Sequence, residues 1–295
     1  MSDERRPADP RRLLEEAGRW AKKSWGQNFL VDQNILELIA AEAAAGRPAF
    51  LIELGAGLGA LTYHLVRLAE HVVAVERDRD LVPMLRRTLG WAENLEIMEA
   101  NALTLDYAAL AARSGGPVHV VGNLPYQLAS RIMVGLTSKT AIIARAVFLV
   151  QREVAERICA PAGDSEYSLL SVLIQRAFSP SIARRVPAAA FFPRPRIESA
   201  LLTLSRGPDV LGEADDNALV ATARAAFSAR RKTLRNSLSA GLKIAPAAAE
   251  KALHDAGISP SARAEVLAVA DFLRLGRALS LSGLLPSSDG ADHEG

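Results

Sequence analysis

The sequence predicts an α/β protein in which a doubly wound, mostly parallel sheet is followed by a small all-α domain. Three observations lead to this fold class. Short aliphatic runs alternate with amphipathic stretches through the first half of the chain, as in successive βαβ units. A glycine-rich loop follows the first of these runs, where such sheets bind ligands. Beyond about residue 217, alanine, leucine and arginine recur at helical spacing without a candidate strand.

Five apolar runs are the predicted strands of the parallel part of the sheet: 50–54, 71–76, 95–99, 118–122 and 144–151. The segments between them carry helical periodicity, near 59–69, 79–89, 105–112 and 128–137. Because strand–helix–strand crossovers are right-handed, these helices are expected to pack back onto the sheet. After residue 151 we expect two helices and then two strands, the helices at 152–160 and 167–178 and the strands near 181–187 and 200–205.

The expected domain bounds follow from changes in composition along the chain. Residues 1–20 and 286–295 are mostly polar or small, so we expect two disordered tails. A sheet domain is expected at residues 21–206 and a helical domain at residues 217–285. The stretch between these two domains, GPDVLGEADD, has the composition of a linker.

Composition excludes several classes of protein. The chain has 35 basic and 33 acidic residues, and 29 of the basic ones are arginine, which suits phosphate binding but also fits a GC-rich genome. With Cys159 as the only cysteine, an intrachain disulfide and a cysteine-based metal cluster are impossible. The five histidines lack ligand spacing, so no metal site is expected. Without a signal-like or bilayer-length apolar segment, we expect a soluble, cytoplasmic protein with no membrane partner.

The loop LIELGAGLGALT predicts a nucleotide-like ligand. Gly55 and Gly57 allow a sharp turn close to the ligand, and Gly59 allows the next helix to pack closely. Glu76, nineteen residues after Gly57, ends the next strand and can accept both hydroxyls of a ribose. A NAD site or a purely structural turn remains possible. Glu53 favours S-adenosylmethionine (SAM), because a nearby carboxylate repels a diphosphate and tolerates a cationic methionyl group.

The tetrapeptide Asn123, Leu124, Pro125 and Tyr126 follows the fourth strand and suits the methylation of an adenine amine. That nitrogen is a weak nucleophile because its lone pair is delocalised into the ring. The side-chain carbonyl of Asn123 and the backbone carbonyl of Leu124 can accept its two hydrogens, while Pro125 restricts the backbone. Tyr126 can stack on a base flipped out of its RNA. The alternative is a strand-ending turn with a packing aromatic ring, which the neighbouring glycine loop disfavours.

Five motifs, in order, resemble those of the ribosomal RNA adenine dimethyltransferase family, in particular its bacterial small-subunit type: KKSWGQNFLVD, ELGAGLGALT, GNLPY, FFPRPRIESALLTL and AFSARRKTLRNSL. The similarity extends from about Lys22 to about Leu285. It implies a Rossmann-like class I SAM-dependent methyltransferase domain with a small all-α RNA-binding domain. It also implies N6,N6-dimethylation of two adjacent adenines near the 3′ end of 16S rRNA. The expected partner is an immature 30S subunit, the expected state a monomer, and the cofactor product S-adenosylhomocysteine (SAH).

The resemblance also implies roles for single residues. Asn28 and Leu30 would close over SAM, Gly55 in the glycine loop would contact its methionyl part, and Glu76 would bind its ribose. Asn101 stands where the family usually has an aspartate that accepts from the adenine amino group. An asparagine carbonyl can make the same hydrogen bond, so we expect SAM binding to survive this departure, weakened by about 1 kcal/mol.

Two further groups of residues are expected to contact RNA. A basic stretch of the helical domain can bind phosphates, although a solvated helix face is the usual fate of such runs: Arg224, Arg230, Arg231, Lys232 and Arg235. Lys22 and Lys23 lie beside the segment expected to close over SAM and can reach RNA. Of Phe191 and Phe192, one is expected in the core and the other is a candidate for stacking on the target adenine opposite Tyr126.

Three alternative functions remain open. A sister enzyme of the same fold dimethylates a large-subunit rRNA adenine and confers antibiotic resistance, but the ARRKTLRNSL stretch favours the small-subunit type. A DNA adenine methyltransferase shares the chemistry but commonly carries a larger recognition domain. A non-catalytic RNA-binding factor would bind RNA without transferring a methyl group, so tritiated SAM distinguishes it from an enzyme.

Overall fold

The computed structural model describes residues 9–22, 25–207, 211–229 and 231–285. The chain folds into two compact units. The first contains the chain up to Glu156 together with Phe178–Arg206, and the second contains Arg157–Ala177 together with the chain from Gly207. These units differ from the expected domains, because residues 157–177 were assigned to the sheet domain. Tyr167 and Val172 are instead buried in the core of the second unit.

The first unit contains most of the predicted elements. Its strands are β1 (Phe29–Leu30), β2 (Phe50–Leu54), β3 (His71–Glu76), β4 (Leu95–Glu99), β5 (Val118–Asn123), β6 (Ile143–Gln151), β7 (Phe178–Val186), β8 (Phe191–Phe192) and β9 (Ser199–Arg206). Its helices are α1 (Pro10–Glu16), α2 (Gln33–Ala43), α3 (Thr62–Leu65), α4 (Val82–Leu89), α5 (Tyr107–Ser114) and α6 (Tyr126–Leu136). Helix α7 (Arg152–Cys159) crosses from the first unit into the second.

Within the described residues, seven strands form one sheet in the order β4-β3-β2-β5-β6-β9-β7. Strands β2 to β6 are parallel, whereas β9 is antiparallel to both of its neighbours. β2 is buried along its whole length, as expected for an aliphatic run with both faces covered. The strand order reverses between β2 and β5, which places their carboxyl ends side by side at a topological switch point. The doubly wound sheet predicted from the sequence is confirmed.

Two predicted segments have a different structure. Helix α3 covers only Thr62–Leu65 instead of residues 59–69, because the glycine loop continues to its start. The N-terminal tail expected to be disordered contains α1, whose start is capped by the Asp9 side chain. Leu13 and Leu14 of α1 are buried against Leu58 of the glycine loop and its neighbours. Residues 1–8 and 286–295, the rest of the two expected tails, lie outside the described residues.

The second unit is helical, with α8 (Leu169–Gln175), α9 (Glu213–Phe227), α10 (Leu234–Leu242), α11 (Pro246–Asp255) and α12 (Val269–Leu281). Helix α9 contacts α10 and α12 through small residues. A Cβ at Gly241 of α10 would lie 2.7 Å from the α-carbon of Ala225, and one at Gly276 of α12 would lie 2.9 Å from the carbonyl carbon of Ala218. The linker is shorter than expected, because α9 already begins at Glu213.

Candidate active site

A pocket of about 150 Å³ lies at the carboxyl ends of β2, β3 and β5. Four parts of the first unit line it: the glycine loop, the end of β3, the turn at Ala100–Ala102 and the tetrapeptide after β5. The segment 25–30 and Pro10 of α1 complete the lining. Strand order therefore brings together motifs that are up to about a hundred residues apart in the sequence.

The glycine loop has the backbone geometry that its sequence predicts. Gly55, Gly57 and Gly59 have φ angles of 75°, 57° and 84°, a region that disfavours residues with a side chain. A Cβ at Gly57 would lie 3.2 Å from the ring of Phe29, and one at Gly59 would lie 2.6 Å from Leu85 and from Leu89. The loop can therefore lie close to both the segment 25–30 and α4 only with glycine at these positions.

The carboxylate of Glu76 faces the loop and is only 8% exposed. Gly57 N donates to its Oε2 at 2.8 Å, and Asp78 N donates to its Oε1 at 2.7 Å. Burial raises the pKa of Glu76, whereas these backbone N–H groups lower it. A carboxylate has about four acceptor sites, so Glu76 can still accept the two hydroxyls of a ribose.

Glu53 is a second buried carboxylate, 2% exposed, on β2 directly before the glycine loop. The hydroxyl of Thr62 donates to its Oε2 at 2.6 Å. Burial raises the pKa of Glu53 to about 7, the Thr62 hydrogen bond opposes this, and the nearby Glu76 adds to it. Near neutral pH, Glu53 is therefore close to the midpoint of its titration, and a cation bound beside it would favour the ionised form.

The tetrapeptide after β5 presents two carbonyl groups. The amide nitrogen of Asn123 donates to the backbone oxygen of Asn28 at 2.7 Å, which leaves Oδ1 as the free end of the amide. Among the described residues, nothing donates to Asn123 Oδ1 or to the carbonyl oxygen of Leu124. Pro125, with φ of −57°, directly precedes α6, and the Tyr126 hydroxyl lies 2.8 Å from Ser199 Oγ on β9. Two residues with a free carbonyl acceptor, and the Tyr126 ring held by Ser199, therefore line the pocket.

The segment 25–30 lines the pocket next to the tetrapeptide. The side-chain amide of Asn28 donates to the backbone oxygen of Gly26, two residues earlier, at 3.0 Å. Leu30 is buried and pairs with Phe191 in the short ladder between β1 and β8. Trp25 lies against the guanidinium of Arg77, with 4.3 Å between Cζ and the ring centre. The residues expected to close over SAM thus lie on the pocket.

Asn101 lies in the pocket, and its side-chain oxygen already has one partner. Its Oδ1 accepts a hydrogen bond from Leu103 N at 3.1 Å. Because a backbone N–H requires an acceptor, the oxygen must point into the turn and the amide nitrogen away from it. An aspartate would keep a second oxygen free for an adenine amino group. The Asn101 oxygen nevertheless has a second lone pair, so the expectation that it accepts from the adenine amino group stays a prediction.

Phe191 and Phe192 have different environments. Phe191 is 2% exposed and packs in the main core with Leu30 and Val186, so it cannot stack on a base. Phe192 is partly exposed, packs beside Phe29 and carries the guanidinium of Arg11 5.2 Å from its ring centre. The core role belongs to Phe191, and base stacking by Phe192 stays a prediction.

Lys22 has an internal role that the sequence did not reveal. Its ammonium donates to Asp78 Oδ1 at 2.7 Å and to Asp80 Oδ2 at 2.8 Å, and an RNA contact by Lys22 stays a prediction. Lys23 lies outside the described residues. Asp78 and Gln27, which form part of the same cluster, were not identified from the sequence. The alternating charges of ERDRD were the available signal, but such runs are usually solvated.

The basic stretch of the second unit is exposed where it is described. Arg224 is on α9, Arg231 and Lys232 lie between α9 and α10, and Arg235 is on α10. Arg235 approaches Glu250 at 3.5 Å, and such an exposed ion pair contributes little to stability. Arg230 lies outside the described residues.

The described ranges contain neither a candidate metal site nor a candidate membrane-spanning helix. No group of three or more His, Cys, Asp or Glu side chains there could hold a metal ion. No helix in the same ranges is both long enough and apolar enough to cross a bilayer.

A switch-point pocket that joins a glycine loop, a strand-end carboxylate and Asn-Leu-Pro-Tyr identifies the class as the SAM-dependent methyltransferases of class I. The sequence profile described as "Ribosomal RNA adenine dimethylase" matches residues 18–280. The chain therefore belongs to the ribosomal RNA adenine dimethylase family.

Individual relatives agree with this membership. The chain is 46% identical over 280 residues to "Ribosomal RNA small subunit methyltransferase A" of Anaeromyxobacter dehalogenans, covering 92% of this chain and 97% of that protein. Among solved structures, the 23S rRNA methyltransferase ErmE is 28% identical with a TM-score of 0.65, covering 85% of this chain and 99% of that one. A dimethyladenosine transferase from Plasmodium falciparum has a TM-score of 0.71 at 23% identity, covering 86% and 98%, and supports the fold alone.

Proposed function

We propose that this protein transfers methyl groups from SAM to N6 of two adjacent adenines near the 3′ end of 16S rRNA, in an immature 30S subunit. One observation carries the proposal. The two carbonyl oxygens of Asn123 and Leu124, which accept nothing from the described residues, lie on the same pocket as the glycine loop and Glu76. The small-subunit assignment is supported by the name of the 46% identical relative.

The pocket residues fit a SAM-like ligand. Glu76 keeps acceptor sites free for ribose hydroxyls, and Gly55 and Gly57 line the same pocket. Asn28 and Leu30 would cover the ligand, and Asn101 would contact its adenine. SAM supplies an electrophilic methyl group when bound and leaves as SAH. The buried carboxylate of Glu53 favours the cationic methionyl end over a diphosphate.

The tetrapeptide would activate the target base. Asn123 Oδ1 and the Leu124 carbonyl accept the two N6 hydrogens, which favours a pyramidal nitrogen with its lone pair directed into the pocket. Tyr126, held by Ser199, would stack on the flipped adenine. No general base is needed before attack, because the proton leaves the nitrogen after alkylation. The rate enhancement comes from orientation and from the two acceptors.

The same pair of acceptors allows a second methylation. A monomethylated amine has one N–H left, so it needs only one of the two carbonyls of Asn123 and Leu124. The other carbonyl then borders the space for the methyl group already present. Two acceptors on one wall, rather than a closed cage, are therefore compatible with N6,N6-dimethyladenosine as the product.

The second unit would bind RNA. Its exposed cations suit phosphates, and the described ones are Arg224, Arg231, Lys232 and Arg235. We assign methyl transfer to the sheet unit and RNA binding to the helical unit, with a monomer as the working state. Binding at these residues would be strongly salt-dependent, since each phosphate contact releases counterions.

The test is to incubate the protein with tritiated SAM and small subunits from a strain that lacks this gene. We expect label in 16S rRNA and, by mass spectrometry, N6,N6-dimethyladenosine at two adjacent positions. Large-subunit rRNA serves as the parallel substrate, because the 28% identical ErmE is a 23S rRNA methyltransferase. Label confined to 23S rRNA would assign the chain to that second type, and RNA binding without transfer would make it a non-catalytic factor.

A further inference from the structure

We infer that Asp78 is a positioning residue that fastens Lys22 and residues 25–28 to the cofactor edge of the sheet and thereby orients the Asn123 amide. The inference deepens the proposed function and rests on it. Asp78 lies two residues after Glu76 and is 1% exposed. A carboxylate buried to this degree needs several partners to offset the loss of hydration, and one of its partners, Gln27, lines the pocket.

Three donors hold the Asp78 side chain. Lys22 Nζ donates to Oδ1 at 2.7 Å, and Gln27 Nε2 donates to Oδ2 at 2.7 Å. The third donor, Asp80 N, reaches Oδ1 at 3.1 Å and shapes the turn after β3. Gln27 Oε1 in turn accepts from Lys22 N at 2.8 Å, so Lys22, Gln27 and Asp78 form a closed ring, which we call the latch.

The latch connects to both halves of the pocket. On the cofactor side, the backbone N–H of Asp78 donates to Glu76 Oε1 at 2.7 Å, in the same turn that the side chain fixes. On the target side, Gln27 is followed directly by Asn28, whose carbonyl accepts from Asn123 Nδ2 at 2.7 Å. That hydrogen bond holds the nitrogen of the Asn123 amide, so that its oxygen can accept from the target amine. Asp78 therefore positions both Glu76, the expected ribose acceptor, and the side-chain amide of Asn123.

Asp80 provides a matched control. It also accepts from Lys22, at 2.8 Å, but its side chain is 32% exposed and also pairs with the exposed Arg19. Neither Gln27 nor Glu76 is among the partners of its side chain in the described residues. Asp78→Asn and Asp80→Asn therefore remove the same charge next to the same lysine, whereas only the first opens the latch.

The experiment compares wild type, Asp78→Asn, Gln27→Leu and Asp80→Asn in the full-length protein. Hydrogen–deuterium exchange without cofactor measures the opening of residues 25–30, and calorimetry measures the Kd of SAH. We expect the two latch variants to exchange about tenfold faster in residues 25–30, with exchange in β3 and β5 unchanged. Their Kd for SAH should rise about tenfold and kcat should fall, whereas Asp80→Asn stays within about threefold of wild type.

Several outcomes overturn the inference. One is wild-type exchange and SAH affinity in Asp78→Asn. Another is faster exchange throughout the sheet, which would give Asp78 a role in stability alone. Equal effects of Asp78→Asn and Asp80→Asn would assign the role to the charge near Lys22. Failure of wild type to bind SAH would reject the proposed function. The exchange measurement needs no cofactor, so it would still test the latch.

Discussion

The carboxylates at the pocket edge of the sheet unit and the cations of the basic stretch in the helical unit are arranged in opposite ways. In the sheet unit, Glu53, Glu76 and Asp78 are 2%, 8% and 1% exposed, and each accepts hydrogen bonds from internal donors. In the helical unit, Arg224, Arg231 and Lys232 are exposed. Buried charges fix geometry and respond to pH, whereas exposed charges attract a polyanion and respond to salt. The predictions below test whether cofactor binding and methyl transfer depend on the sheet unit and RNA binding on the helical unit.

The largest effect is expected from Asn123→Ala. Loss of the side-chain carbonyl should lower the rate of methyl transfer by about 10²–10³-fold, because one of two acceptors for the target amine is gone. SAH affinity should stay within a few-fold of wild type, and the salt dependence of RNA binding should not change. Single-turnover transfer with tritiated SAM measures the rate and calorimetry the affinity. A rate near wild type would remove Asn123 from the mechanism.

The second effect is a pH dependence set by Glu53. Burial raises the pKa of Glu53 from 4.5 to about 7. Between these values the folded protein holds a proton that the unfolded chain has lost. The contribution of Glu53 to stability therefore falls as pH rises through this window and is level above it. A bound cation favours ionised Glu53, so SAM affinity should rise with pH up to about 7, by at most about tenfold per pH unit.

Calorimetric titrations of SAM from pH 5.5 to 8 measure this dependence. Glu53→Gln is the control, because the glutamine oxygen can still accept from Thr62 but the side chain does not titrate. Its profile should be flat in the same range. Parallel profiles for the two proteins would mean that another group titrates and that Glu53 keeps one protonation state.

A smaller effect is expected from Arg231→Ala in the helical unit. RNA affinity should fall by about tenfold at low salt, and the slope of log K against log salt should decrease by about one. SAH affinity should not change. Arg274→Ala is the matched control, because Arg274 is an exposed arginine of α12 that already pairs with Asp271 at 2.7 Å. An unchanged slope in Arg231→Ala would exclude a phosphate contact at that residue.

The smallest effect is expected from Asn101→Asp. The second carboxylate oxygen would be free for the adenine amino group, because the first accepts from Leu103 N as Asn101 Oδ1 does. One added hydrogen bond should improve SAH affinity by about 1 kcal/mol, roughly fivefold. Calorimetry with SAH measures it. Weaker binding by the aspartate variant would indicate that the Asn101 amide nitrogen is itself a cofactor contact.

The strands and the pocket motifs could be predicted from the sequence because both are local signals. β2, β3 and β4 have the predicted bounds, since their apolar runs begin and end where the composition changes. Gly55, Gly57 and Glu76 were found because close backbone approach and a strand-end carboxylate leave a recognisable spacing.

The features that were missed depend on contacts between distant residues. Helix α1 has only seven residues, too few for stability in isolation, so it depends on the burial of Leu13 and Leu14. The Lys22–Asp78 pair joins residues 56 positions apart. The orientation of Asn101 depends on one backbone N–H in a turn, and the assignment of 157–177 to the helical unit depends on packing. Periodicity and composition contain none of this information.

The close packing of α9 has a consequence for the surface of the helical unit. Because Gly241 and Gly276 bring α10 and α12 against the backbone of Ala225 and Ala218, α9 cannot slide along its axis without steric overlap. The α-carbons of Arg224 on α9 and Arg235 on α10 are therefore held at a constant separation. A pair of cations with fixed spacing favours a folded polynucleotide whose phosphates match it over a flexible strand of equal charge.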